Sequence, residues 1–168
     1  MGPRSALAIA VGLLAAGVAA APAAGADGDQ WALNGVYLAT SNGEWAQTND
    51  VYHDEASLRS TWTISTVCSD AVTCSGQVHS DAGWDADIQS GTGEYVVKRN
   101  LPDWERCEDG SVAPGLQIYR FYPVNGEGYV SPGSPTLAGV NKTYGVSGAC
   151  RLNLPLIIEM PFRLQKIG

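Results

Sequence analysis

Short runs rich in Val, Ile, Thr, Tyr and Trp recur along the chain between clusters of Gly, Pro, Asn and Asp, and apolar positions within them repeat every second residue. After about residue 26 no window keeps apolar residues at i, i+3, i+4 and i+7. This pattern predicts an antiparallel β protein. Strands are expected near residues 35–40, 60–67, 75–80, 86–90, 94–100, 116–123, 137–144 and 156–164. In Thr61-Trp62-Thr63-Ile64-Ser65-Thr66 the alternation is clearest: Trp62 and Ile64 face a core while the hydroxyl residues face water. In the next run Val78 points inward, with Gln77 and His79 outward.

Asn42-Gly43, Asn125-Gly126 and Gly91-Thr92-Gly93 place residues that tolerate positive φ between these runs, and each reads as a tight reversal. Residues 55–59 form the one short stretch with helical character, with Asp54 available as its N-cap. Pro155 and Pro161 interrupt the late apolar run. Because proline lacks a ladder donor, that run is expected at an edge or at the closure of a barrel, with Leu156, Ile158 and Met160 on one face and Ile157 and Glu159 on the other. Consecutive hairpins of short strands fit an all-β domain, either a small lipocalin-like barrel or a two-layer sandwich, and the meander order favours the barrel.

Residues 1–26 change the picture of where this domain works. Arg4, an Ala/Gly-rich apolar stretch and Ala24-Gly25-Ala26 have the order of a secretory signal peptide cleaved near Ala26. Residues 27–168 then form a single domain, secreted or held in the cell envelope, with no membrane span of its own. Its four cysteines, Cys68, Cys74, Cys107 and Cys150, are read as two disulfides in an oxidising compartment. Three pairings are possible. The polar loop between Cys68 and Cys74 favours their pairing across a hairpin, leaving Cys107 with Cys150. That longer closure is expected to stabilise the fold more, by about 3–4 kcal/mol in the entropic account.

A formal net charge of −7 argues against nucleic-acid partners and anionic membrane surfaces, which bind clustered Lys and Arg. Catalytic constellations are hard to assemble. His53 and His79 are the only histidines, and adjacent strand residues such as His79 and Ser80 point to opposite faces. His53 with Asp54 and Glu55 lacks the spacing of a metal site. Asp81, Asp85 and Asp87 surround Trp84, a loop with oxygen ligands suited to calcium. Asp103 and Glu105 flank Trp104. Acids beside tryptophan would act on glycans only if two carboxylates stood about 5–10 Å apart in a cleft. No cofactor, metal site or catalytic residue is assigned.

Five Trp and seven Tyr remain to be placed. Trp62 belongs to the core, whereas Trp45, Trp84 and Trp104, with Tyr37, Tyr95 and Tyr119, are candidates for the wall of a ligand cavity.

The blocks LNGVYLATSNGEWAQTNDVY, RSTWTIST, CSGQVHSDAGW and YGVSGACRLNLPLIIEMPFRL resemble small exported proteins of mycobacteria and related actinobacteria, a group without an established biochemical function. The resemblance covers the sequence beyond the leader and includes all four cysteines. It implies export and two disulfides, and its lipid-rich setting implies an apolar ligand; it supplies no active site. Asn34-Gly35-Val36-Tyr37 is similar to the opening strand of lipocalin-like barrels, a likeness of fold only. The expected function is an envelope or extracellular binding module for an apolar or lipid-like small molecule. The alternatives are a module that docks an envelope protein without a small ligand, through a flat patch along residues 155–161, or a carboxylate-dependent glycan enzyme.

Overall fold

Ten strands form one antiparallel sheet in the computed structural model, which describes residue 2 and residues 29–168. They are β1 (Asn34–Ser41), β2 (Gln47–Thr48), β3 (Val51–Tyr52), β4 (Leu58–Cys68), β5 (Cys74–Ser80), β6 (Trp84–Ser90), β7 (Tyr95–Arg106), β8 (Val112–Pro123), β9 (Thr136–Gly145) and β10 (Ile157–Lys166). The remainder of the predicted leader lies outside the described residues.

β1 pairs with β4 on one side and with β10 on the other, so β1 and β4 to β10 close into an eight-stranded barrel. A closed sheet rules out the sandwich, and every barrel strand has a partner on both sides, β6 and β7 only along a short stretch. All eight strands read from the sequence are the barrel strands. β2 and β3 form a small hairpin attached to β10. Its two-residue turn, Asn49-Asp50, has positive φ at both positions, the geometry of a type I′ reversal.

Three local expectations are corrected. Asn42-Gly43 does not reverse the chain between strands; Asn42 accepts a hydrogen bond from Glu44 N and starts a 3-10 turn over Gly43–Trp45. Residues 55–59 hold no helical turn, because Glu55 N donates to Gly43 O and Leu58 and Arg59 already pair with β1. Asn125-Gly126 starts a loop rather than a tight β8–β9 hairpin. Asn125 Oδ1 accepts from Glu127 N and Tyr129 N there, with the chain rejoining the sheet at Thr136.

Pro161 is accommodated inside a strand paired on both sides. Its carbonyl accepts from Asn42 N, just beyond the last β1–β10 pair at Ser41 and Phe162, so its missing donor falls between the partners β1 and β2. The run thus closes the barrel instead of forming an edge. It offers no edge for the docking patch expected along residues 155–161.

The core fills one half of the barrel. Trp62 packs edge-on against Trp84 and Tyr119, at 5.2 and 4.9 Å between ring centroids, and lies 5.3 Å from Phe162. Beyond them Tyr95, Phe121, Ile64, Ile88, Leu137 and Leu164 complete the filled half. Its end is plugged by the segment before β1: Leu33 N donates to Thr66 Oγ1, and Tyr95 donates its hydroxyl to Trp31 O.

Both disulfides form as expected, Cys68 with Cys74 across the β4–β5 hairpin and Cys107 with Cys150 between the loops after β7 and β9. Their sequence separations are 6 and 43 residues. Loop-closure entropy then assigns about 2 kcal/mol to the hairpin bridge and about 4 kcal/mol to the long one. Urea denaturation of Cys107→Ser/Cys150→Ser is therefore expected to show about twice the stability loss of Cys68→Ser/Cys74→Ser; equal losses would contradict this order.

Candidate functional site

The other half of the barrel is not filled. Where β4, β6 and β10 begin and β5 and β9 end, a cavity of about 300 Å³ opens at the mouth. Trp84, Leu101, Trp104, Tyr119, Ile158 and Met160 give it an apolar wall. This volume is at the lower end of the range for small-molecule sites.

Strand register adds a polar strip to that wall. Arg99 of β7 stands opposite Gln117 of β8, Gln117 opposite Thr143 of β9, and Thr143 opposite Ile158 of β10. One level deeper, Tyr119, Asn141 and Met160 form the next row. Gln117 Nε2 donates to Asn141 Oδ1 at 3.0 Å and Asn141 Nδ2 donates to Ser41 Oγ at 2.9 Å. This buried chain ties β8 and β9 to β1. It satisfies polar groups whose burial would otherwise cost about 1–3 kcal/mol each.

Arg99 occupies a distinctive position because β6 and β7 separate. They pair only from Ile88 to Ser90 against Val97 to Tyr95, and the rest of the two strands splay apart. The opening is an outer cleft that shares Trp84 and Arg99 with the inner cavity. The Arg99 guanidinium lies 4.5 Å from the Trp84 ring centroid, a cation–π contact. None of the five ion pairs among the described residues involves Arg99. Burial pulls its pKa below the usual arginine value, opposed by Tyr119, yet arginine keeps its proton throughout the ordinary range. Burial pushes the Tyr119 phenol up to about 12, with Arg99 acting in the opposite direction, so its hydroxyl remains a donor at neutral pH.

Trp104 reaches the cavity through an irregularity in β7. Between the pairs Leu101 with Gly115 and Glu105 with Ala113, residues 102–104 bulge opposite Pro114, whose missing donor needs no partner there. The indole then lies on Gly115 and Gly145, which face each other across β8 and β9. A Cβ on Gly115 would come within 2.8 Å of the ring, and one on Gly145 within 3.1 Å. Glu105 Oε2 is buried behind it, 3.2 Å from the same Gly145 position, without a hydrogen-bond partner among the described residues.

Of the residues singled out from sequence, Trp84, Trp104 and Tyr119 line the cavity. Tyr37 and Tyr95 pack in the filled half, and Trp45, 69% exposed, sits on the 3-10 turn outside it. The acids near Trp84 do not enter the inner cavity: Asp85 pairs with His79 and Asp87 accepts from Gln77, both on the wall of the outer cleft, and Asp81 accepts from Thr61 N at 2.9 Å. His53 contacts Glu55 at 3.0 Å, far in the topology from His79. No carboxylate is among the cavity lining, and no group of three or more potential metal ligands occurs among the described residues. Sequence reading missed Arg99, Gln117, Asn141 and Thr143. Counting by twos from Val97 and from Tyr119 would have placed Arg99 and Gln117 inside.

No protein-family model and no curated protein sequence matches the chain. Among solved structures it is similar to the monomer form of the M. tuberculosis PknI sensor domain, with a TM-score of 0.55 and 13% identity over 82% of this chain and 88% of that one. At that identity the likeness is one of fold: an all-β barrel shared across nearly the whole of both chains. Among the described residues no helix is long and apolar enough to cross a membrane, and the two closed disulfides fit an oxidising compartment.

Gly115→Ala is expected to displace Trp104 and cost about 1–3 kcal/mol by overpacking, seen as a changed near-ultraviolet circular dichroism spectrum and a lowered urea midpoint. Alkaline pH gives a second test. Tyr95 and Tyr119 hold their protons to about 12 in the folded barrel, against 10.0 for an unburied phenol. The unfolded chain therefore loses these protons first. Their contribution to stability is complete below pH 10 and declines as pH rises toward 12. Phenolate absorbance should show two tyrosines ionising only with or after unfolding.

Proposed function

We propose that the protein is an exported binding or sensing module whose barrel mouth takes up an apolar or lipid-like small molecule. The observation that carries this reading is the uneven filling of the barrel. One half is packed with aromatic and aliphatic side chains; the other keeps an apolar cavity of about 300 Å³ behind an open rim. A small eight-stranded barrel can fill its interior completely, so an unfilled half lined by two tryptophans and a tyrosine is a site to be occupied.

The signal-peptide pattern of residues 1–26, the disulfides and the resemblance to exported actinobacterial proteins support a place outside the cytoplasm. The fold shared with a sensor domain supports binding or sensing as the class of function. Trp84, Trp104 and Tyr119 are the residues proposed to touch the ligand. The outward orientation of Asp81, Asp85 and Asp87 supports binding over glycan hydrolysis at this place.

The test is uptake of an environment-sensitive apolar fluorophore, paired with native mass spectrometry of protein purified from a secreting host. Wild type is expected to quench tryptophan emission by energy transfer to the probe and to carry a co-purified small molecule. Ile158→Trp, which fills the cavity from β10, is expected to weaken probe binding at least tenfold while retaining the wild-type far-ultraviolet spectrum. A bare mass together with no probe uptake by folded wild type would overturn the proposal.

A further inference from the structure

Resting on that reading of the cavity, we infer that its ligand is a single-chain amphiphile with an anionic head group, and that Arg99 binds the head. Three observations converge on this residue. It points into the barrel, in phase with Tyr95 and Val97, so its charge is on the cavity side of the wall. It has no carboxylate partner, although the chain has 17 acidic residues against 10 basic ones. It also stands where the inner cavity and the outer β6–β7 cleft meet.

An unpaired guanidinium in a partly dry barrel is unfavourable by itself, and an aromatic face offsets only part of the lost hydration. On the cavity side the strip beside it carries only the neutral donors and acceptors Gln117 and Thr143, while the acids of the outer cleft, Asp85 and Asp87, are engaged by His79 and Gln77 and leave the guanidinium without a partner. A carboxylate or phosphate from outside would complete the set. Arg99 offers a planar fork for either, and Tyr119, protonated with its pKa at about 12, adds an O–H donor in the same region. The cleft keeps the head in contact with water while the chain extends between Trp84, Leu101, Trp104, Ile158 and Met160. About 300 Å³ suits one chain rather than a two-chain lipid.

The experiment compares three probes of equal chain length on the folded protein: a fatty acid, the corresponding fatty alcohol and the alkyl phosphate. Each is titrated by displacement of the apolar fluorophore. Wild type is expected to bind at least one of the two anions about tenfold or more tightly than the alcohol. Arg99→Met is expected to remove that preference while leaving alcohol binding within about twofold, and Arg99→Lys to restore part of it. The acid and phosphate arms separate a carboxylate head from a phosphate one. If alcohol and anions bind equally to wild type, or if Arg99→Met keeps the preference, this inference is overturned and the apolar cavity stands. If none of the three displaces the probe, the reading of the cavity fails with it.

Discussion

The aromatic contact set around Trp62 is the constraint on which both halves of the barrel depend. Its ring is 1% exposed and meets Trp84, Tyr119, Phe121 and Phe162, contributed by three other strands. Such a large ring at mid-height leaves room on one side for a close-packed aliphatic layer. On the other side it holds Trp84 and Tyr119 upright as the inner end of the cavity. The Trp62 indole N–H donates to Ser60 Oγ at 3.0 Å, so its polar atom does not compete with this packing. Trp62 therefore shapes the cavity without lining it.

Closure and opening are divided between different seams of the sheet. β7 with β8 and β8 with β9 pair over most of their lengths, whereas β6 with β7 pair over three residues. The two glycine residues beneath Trp104, the bulge of residues 102–104 and the splayed β6–β7 seam all lie at the cavity end. The opposite end has the Cys68–Cys74 bridge and the Trp31–Leu33 plug. The irregular cavity end is tied by the Cys107–Cys150 bridge between the loops after β7 and β9, and the opposite end is closed by packing and the short bridge, so a rigid scaffold carries a less regular site.

The fold was legible in sequence because a period of two states which residues face inward, and the turn residues mark where each run ends. Every barrel strand was readable this way, and the loop between Cys68 and Cys74 pointed to the hairpin bridge. Closure was legible only as a preference: the meander order favoured a barrel over a sandwich and left the late run at an edge or at its closure, because the deciding contact of β1 with β10 joins positions far apart in the chain. The β2–β3 hairpin escaped for the opposite reason: two residues per strand carry no periodic signal, although Asn49-Asp50 was a turn signal in plain view. For the site, residue type misled where register would have served. Tyr37 and Tyr95 drew attention as rings, yet their strand positions fall in the filled half. Arg99 and Gln117 resembled solvent-facing residues, yet their positions fall inside.

Trp84 shows why the geometry at Arg99 favours recognition over mere tolerance of a buried charge. The ring is held edge-on by Trp62 and lies nearly parallel to Tyr119, at 12°. Its orientation is thus decided by the core, independently of Arg99. A guanidinium resting over a ring so fixed has few rotamers left to lose when an anion arrives, and binding that orders little loses little entropy. A lysine in the same place would bring a flexible point charge without the planar fork. The packing that stabilises the filled half of the barrel therefore also presets the cation at the mouth of the other half, joining stability and selectivity through a single indole.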